Sequence, residues 1–190
     1  MESKHYSLVF LPCSRSMSLV RHLKEALANI IGWYNSKNSD AHITILEFNA
    51  TDAELEFIKR KIRQLADTER PDYVYLDKYE AFPQNGAFFI APTDYSKNYL
   101  KNIMNRFVES LNAKNIRKSN DPHMSIARKL NADKLAIALE RFESISLNFF
   151  CDRVVLRIYD KGSSQYQFAD EFKFGSKMPA PSSQFRLDLN

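Results

Sequence analysis

Ala41-His42-Ile43-Thr44-Ile45-Leu46-Glu47-Phe48 is a short apolar run carrying a histidine and, two residues later, a hydroxyl. The chain repeats the pattern at Pro122-His123-Met124-Ser125-Ile126-Ala127. In a strand, side chains alternate between faces, so positions i and i+2 point the same way. His42 and Thr44 then share one face, Ile43 and Ile45 are buried on the other, and Glu47 falls on the face opposite His42. His123 and Ser125 share a face above Met124 and Ile126. Taken together, the two copies predict one site with two proton carriers and two hydrogen-bonding hydroxyls.

The sequence on either side changes period. Residues 6–11 read as an opening strand closed by Pro12, after which Leu19, Val20, Leu23, Leu27, Ile30 and Ile31 recur at helical spacing up to Gly32. Thr51-Asp52-Ala53-Glu54 matches a capping box ahead of a helix whose buried stripe is Leu55, Ile58, Ile62 and Leu65. Residues 73–82 and 87–91 read as strands joined by a turn at Pro83-Gln84-Asn85-Gly86. A third helix is expected over 95–112, a basic polar loop over 113–120, and a fourth helix capped by Asn131 with Leu135, Ala138, Leu139 and Phe142 inside. Strands at 145–150, 153–159 and 166–174 follow. A helix precedes and follows each histidine strand, which is a coarse internal duplication. No interior linker rich in Pro, Gly or Ser divides the chain, so residues 1–175 are expected to form one domain of two lobes. Residues 176–190, with Pro179 and Pro181, are expected to be a loosely ordered tail on which Phe185 and Leu187 could dock.

Bulk composition narrows the function classes. With 190 residues, 44% hydrophobic and 26% charged, the chain matches an ordinary globular protein with one good-sized core. No run approaches the roughly 18 apolar residues of a membrane span, and residues 8–11 are too short for a secretory leader. A cytosolic location without membrane partners is expected. Cys13 and Cys151 show no CxxC spacing and read as two reduced thiols. The net charge of +4 favours an anionic partner but is spread among acidic residues, unlike the dense stripe of an obligate nucleic-acid binder. Only four glycines are present, and no glycine-rich phosphate loop is found.

Histidine exchanges a proton near neutral pH, its unperturbed pKa being about 6.5. One imidazole can act as base and a second as acid on opposite sides of a reacting phosphorus. Opening a ribonucleotide cyclic phosphate needs such a pair, an activated water and a protonated leaving oxygen. Hydroxyls on the same strand faces can donate to the non-bridging phosphate oxygens. Two rivals remain open. His42 and His123 could ligate a metal, although further ligands at usable spacing are not evident. Cys13 or Cys151 could serve as a nucleophile beside one of the histidines. His5 and His22 read as solvated or packing residues.

The two motifs, His42-Ile43-Thr44-Ile45 and His123-Met124-Ser125-Ile126, resemble the His-x-Thr/Ser-hydrophobic pair of the two-histidine (2H) phosphoesterase superfamily, in particular its 2′-5′ RNA ligase or LigT-like branch. Residues 6–12 resemble that family's opening strand, and residues 154–159 with Tyr166 its closing hairpin. The resemblance implies an α+β fold: a single domain of two pseudo-symmetric lobes. Each lobe would be a mainly antiparallel sheet with helices on its outer face, and the pair would form a V-shaped central cleft. It implies His42 and His123 as the acid/base pair, and Thr44, Ser125 and Arg128 as phosphate-binding residues. It also implies action on 2′,3′-cyclic phosphate ends of RNA or on a small cyclic nucleotide, as a monomer without metal or cofactor. A non-catalytic RNA- or nucleotide-phosphate-binding module, a 2′-5′ RNA ligase and a metal-dependent hydrolase are the alternatives. Two departures stand out: Ser125 replaces the commoner Thr, and Glu47-Phe48-Asn49 stands where the branch usually has Phe-Leu-Gly.

Overall fold

Each helix of the chain is set by a spaced apolar stripe and a local stop or cap. The computed structural model describes residues 2–111 and 113–177; the tail expected over 176–190 lies outside them from position 178 onward. Strand β1 (Lys4–Phe10) leads into α1 (Ser14–Ile31), where Val20, Leu27 and Ile31 are buried and Gly32, at φ 77°, ends the helix. Its buried stripe is narrower than the sequence predicts, because Leu19 is 39% and Ile30 49% exposed. Strand β2 (Ile43–Ala50) follows, then α2 (Asp52–Thr68). The capping box is present: the Glu54 amide donates to the Thr51 hydroxyl, and the Glu54 carboxylate accepts from the Thr51 amide at 2.8 Å.

Strands β3 (Asp72–Phe82) and β4 (Ala87–Pro92) are joined by a 3₁₀ turn at Pro83–Asn85. Gly86 closes that turn at φ 63°, and a Cβ there would meet the Leu130 backbone oxygen at 2.1 Å. Glycine is therefore required twice over at this position. Helix α3 (Asp94–Ser110), strand β6 (Met124–Ala127), helix α4 (Ala132–Arg141) and strands β7 (Leu147–Cys151), β8 (Arg153–Asp160) and β9 (Gln165–Lys173) complete the chain around a short β5 (Lys114–Lys118). Asn131 caps α4 as expected, accepting from the Lys134 amide at 2.9 Å. Leu135 and Ala138 are buried there, but Leu139 is 44% exposed.

Strand β5 corrects the loop expected over 113–120. Leu46 pairs with Lys118 and Glu47 with Arg117, so the segment lies antiparallel along β2. Its composition hides it, because backbone hydrogen bonds at a sheet margin need no apolar alternation.

The strands form one antiparallel sheet in the order β7-β3-β4-β6-β2-β1-β8-β9, with β5 beside β2. The sheet curls into a half-barrel, and the two motif strands lie next to each other at its middle. There β2 meets β6 through Ile43 and Met124, both fully buried. The outer strands repeat about this line, with β1 and β8 on one side answering β4 and β3 on the other. Helix α1 leaves β1 yet packs beneath β6 and β7 of the opposite half, where the Ser16 hydroxyl donates to the Asn148 carbonyl at 2.8 Å. Helix α3 leaves β4 and packs in part beneath β2. The halves are thus interlocked through their helices as well as through the sheet.

Truncating the buried junction should be costly. Ile43→Ala is expected to destabilise the protein by about 2–5 kcal/mol, the range for emptying a closed core site. Urea unfolding measures it, and a loss below about 1 kcal/mol would show that the junction is not packed as described.

Candidate active site

Each motif histidine enters its strand one residue before the ladder begins, and its ring is fixed by its own backbone. The His42 Nδ1 lies 2.7 Å from the Asp40 carbonyl oxygen, and the His123 Nδ1 lies 2.8 Å from the Asp121 carbonyl oxygen. A carbonyl can only accept, so both Nδ1 atoms carry hydrogen and both Nε2 atoms keep a lone pair. The two aspartates are held in turn by cations of the preceding helix. Arg21 of α1 reaches Asp40 at 3.5 Å, while Lys97 and Lys101 of α3 reach Asp121 at 2.9 and 3.3 Å. The repeated unit is therefore longer than the sequence reading found. Aspartate stands two residues before each histidine, a signal visible in the sequence and passed over because its carbonyl, not its carboxylate, meets the ring.

A bulge in each motif strand decides what else faces the cleft. Val9 pairs with Thr44 and Leu8 with Leu46, leaving Ile45 as an extra residue. Phe89 pairs with Ser125 and Phe88 with Ala127, leaving Ile126 as the matching extra residue. Each bulge shifts the alternation by one position. Glu47 consequently lies on the same face as His42 and Thr44, not the opposite one as strict alternation predicts. Its counterpart five residues after His123 is Arg128. His42, Thr44, Glu47, His123, Ser125 and Arg128 all line one cleft of about 890 Å³. The five site residues expected from the sequence are thus brought together.

The loop between α1 and β2 fastens the two motifs to each other. The Ser36 hydroxyl donates to the Ile126 carbonyl at 3.2 Å, and the Arg128 amide donates to the Asn35 carbonyl at 3.3 Å. Beneath that loop, Lys24 is almost wholly buried and donates to the Ser36 and Ser39 carbonyls at 3.0 and 2.7 Å. Burial lowers its pKa to about 8. Trp33, the only tryptophan, is 68% exposed and contributes to the cleft lining. Neither Lys24 nor Trp33 has a sequence signature.

The cleft walls differ. Around His123 the ring packs against aromatics: Phe82, which lines the cleft, and the buried Phe89 stand 5.6 and 4.9 Å from the imidazole, with Ser125 and Arg128 on the same wall. On the His42 side the wall is polar, built from Glu47, Arg157 and Tyr166 with Ser7 buried behind them. The Tyr166 hydroxyl donates to Glu47 at 3.2 Å. His5, expected to be solvated or packing, stacks at its margin 5.9 Å from the Tyr166 ring. Among the described residues no three His, Cys, Asp or Glu side chains gather into a metal-holding group. Cys13 is exposed and Cys151 buried, both as free thiols, and neither contributes to the cleft lining.

Desolvation at the cleft floor holds the His42 imidazole well below its ordinary pKa, and the Arg157 guanidinium pushes the same way. His123 is lowered chiefly by desolvation, with Arg128 adding to it against the Asp121 carbonyl bond. Both shifts favour the neutral imidazole in the free protein. A bound phosphate dianion or monoanion reverses that bias by favouring an imidazolium beside it.

Residues 11–163 match the family described as the 2'-5' RNA ligase superfamily. The chain belongs to that superfamily. Its fold is similar to that of E. coli LigT complexed with 3'-AMP, at a TM-score of 0.68 and 11% identity over 91% of this chain and 99% of that one. TT0787 of Thermus thermophilus (TM-score 0.59, 14% identity, 91% and 99% covered) and Kluyveromyces marxianus Usb1 (0.55, 14%, 90% and 97%) are built alike. No curated protein sequence matches significantly. Among the described residues no helix is long and apolar enough to cross a membrane.

The lowered imidazoles make stability acid-sensitive in a defined direction. Below about pH 6.5 an unfolded chain binds protons that the folded His42 and His123 refuse, so acidification favours unfolding. The urea midpoint is expected to fall between pH 7.5 and pH 5.5. His42→Gln should flatten that fall, and an unchanged slope would show that the ring is solvated in the folded state.

Proposed function

We propose that the protein is a metal-independent phosphoesterase, a 2′,3′-cyclic phosphodiesterase that acts as a cytosolic monomer on RNA ends or nucleotides. The observation that carries this is the mirrored pair of imidazoles, each locked with Nδ1–H on a carbonyl and Nε2 free, lining one cleft. Membership in the 2'-5' RNA ligase superfamily supports it. So do the ligands named in the solved relatives, 3'-AMP with LigT and uridine monophosphate with K. marxianus Usb1.

In this reading one Nε2 takes a proton from water as the water oxygen bonds to phosphorus. The P–O3′ bond breaks, and the second imidazole, protonated, delivers its proton to the departing O3′, leaving a 2′-phosphate. Because the free protein favours the neutral form of both rings, the acid acquires its proton as the anionic substrate binds. Thr44 and Ser125, at matching positions before the two bulges, donate to the non-bridging oxygens where charge concentrates. Arg128 supplies a full positive charge on the same side as Ser125. With an RNA 5′-hydroxyl in place of water, the same base and acid join that oxygen to phosphorus as O3′ leaves, giving a 2′-5′ linkage.

His42→Ala and His123→Ala should each lower kcat on a nucleoside 2′,3′-cyclic phosphate by about 10²–10⁴-fold, with wild-type turnover unchanged by EDTA. Turnover abolished by EDTA would overturn the metal-free mechanism. Absence of turnover with retained nucleotide binding, read from Trp33 fluorescence, would make the chain a phosphate-binding module instead.

A further inference from the structure

Arg157 is the one strongly buried guanidinium of the described residues, only 7% exposed, and the acid/base chemistry does not use it. It lies on β8, paired with Ser7 of β1, which pairs in turn with Glu47 of β2. Those three side chains therefore share the cleft face, and Arg157 contributes to the cleft lining. Ser7 is small enough for the arginine to lie across it, the guanidinium donating to the Ser7 hydroxyl at 3.3 Å. One face of the guanidinium stacks on the Tyr166 ring, 4.9 Å from its centroid.

These contacts leave the charge without a close counter-charge. The Arg157 Nε is buried with no hydrogen-bond partner among the described residues. Glu47, the nearest acidic influence on the wall, is engaged by the Tyr166 hydroxyl at 3.2 Å and stands 3.8 Å from the His5 Nε2. Burying a cation without a bonded anion is expensive, and such a group in a cleft marks a place for an anionic ligand. Burial lowers its pKa to about 10, which still leaves it charged at neutral pH.

Arg157 enters the cleft from the β8 side, and its charge acts on the His42 imidazole. The strand order runs β6-β2-β1-β8, so Arg157 sits two strand spacings, about 10 Å, from β2 on the side away from His123.

We propose that Arg157 forms a second phosphate subsite beside His42, so that the preferred substrate carries a phosphate on the 5′ side of the nucleoside bearing the cyclic phosphate. This rests on the phosphoesterase reading for the reacting phosphate, but the subsite itself is testable by binding alone. The shared chemistry is a 5′-side phosphate, which either a nucleoside 5′-phosphate or the last internal linkage of an RNA end supplies.

Three substrates separate the cases: a nucleoside 2′,3′-cyclic phosphate, its 5′-phosphorylated form, and a dinucleotide ending in the cyclic phosphate. The two-phosphate substrates should show kcat/KM about 10–100-fold above the first, the range of one charge-assisted contact. Arg157→Gln should erase that advantage, bringing the ratio of kcat/KM between the two-phosphate substrates and the first close to one whatever the change on the first substrate through His42, and Arg157→Lys should restore part of it. Preference for the dinucleotide over the 5′-phosphorylated nucleoside assigns the subsite to RNA ends; the reverse order assigns it to free nucleotides. In parallel, calorimetry compares a nucleoside 2′,5′-bisphosphate with the 2′-monophosphate on wild-type protein, a measurement that needs neither turnover nor a folded variant. Tighter bisphosphate binding supports the subsite even if no substrate is turned over, in which case it is the phosphoesterase reading that fails. Equal binding, or an equal loss on all substrates in Arg157→Gln, overturns the subsite.

Discussion

Two backbone hydrogen bonds set the chemistry of this fold. Because the imidazole Nδ1 of His42 and of His123 donates to the carbonyl two residues earlier, each Nε2 of the neutral ring keeps its lone pair, as the proposed acid/base chemistry requires. Those carbonyls must not move, and the surrounding structure is arranged to hold them. Arg21 and the Lys97/Lys101 pair grip the side chains of the same two aspartates. Lys24 underpins the first loop from below through two carbonyls, and Ser36 ties that loop to the second motif strand. A lysine buried for this purpose gives up much of its hydration, which three donated bonds to oxygen offset.

The same constraint explains why the two halves are interlocked. On the proposed reading the two imidazoles have to be held at a fixed separation, yet each comes from a different half of the sequence. Ile43 and Met124 join the motif strands directly, and α1 and α3 carry the connection through the opposite half. A hinge at this junction would change the distance between the two imidazoles, and in the proposed reaction small misplacements of reacting groups are costly in rate. The packed core across the junction, where Ile43, Ile45, Met124 and Ile126 are all fully buried, opposes such motion.

Much of this was legible in the sequence because hydrophobic periodicity and turn chemistry report local structure directly. The Thr51 capping box, the Asn131 cap and the turn before Gly86 are readable for that reason, and the paired His-x-Thr/Ser motif locates four of the residues that share the cleft, with Arg128 added by the family resemblance. The errors share a different cause. Ile45 and Ile126 look like ordinary apolar strand residues, so nothing in their identity announces a bulge, and the face of Glu47 was misread for that reason. Strand β5 is held by main-chain bonds that leave no hydrophobic pattern. Arg157 sits in an apolar strand far along the chain, and only the pairing of β8 with β1 and β1 with β2 carries it to the cleft. Leu19, Ile30 and Leu139 fit a helical stripe by spacing but lie at its edge, where the sheet no longer covers them.

The duplication also shows how a symmetric frame yields an asymmetric site. The bulges place equivalent residues on the cleft face, yet one copy supplies Glu47 and the other Arg128. An anionic substrate is drawn to the Arg128 side and repelled by Glu47 unless that charge is engaged elsewhere. The Tyr166 hydroxyl and the nearby His5 ring engage it, and Arg157 returns a positive charge to the same wall. The opposite wall sets the Phe82 ring beside Ser125 and Arg128. A ligand with one apolar ring system and more than one phosphate therefore has a single favourable direction across two otherwise equivalent histidines. That direction, rather than any difference between the histidines themselves, is what would assign one of them as acid and the other as base.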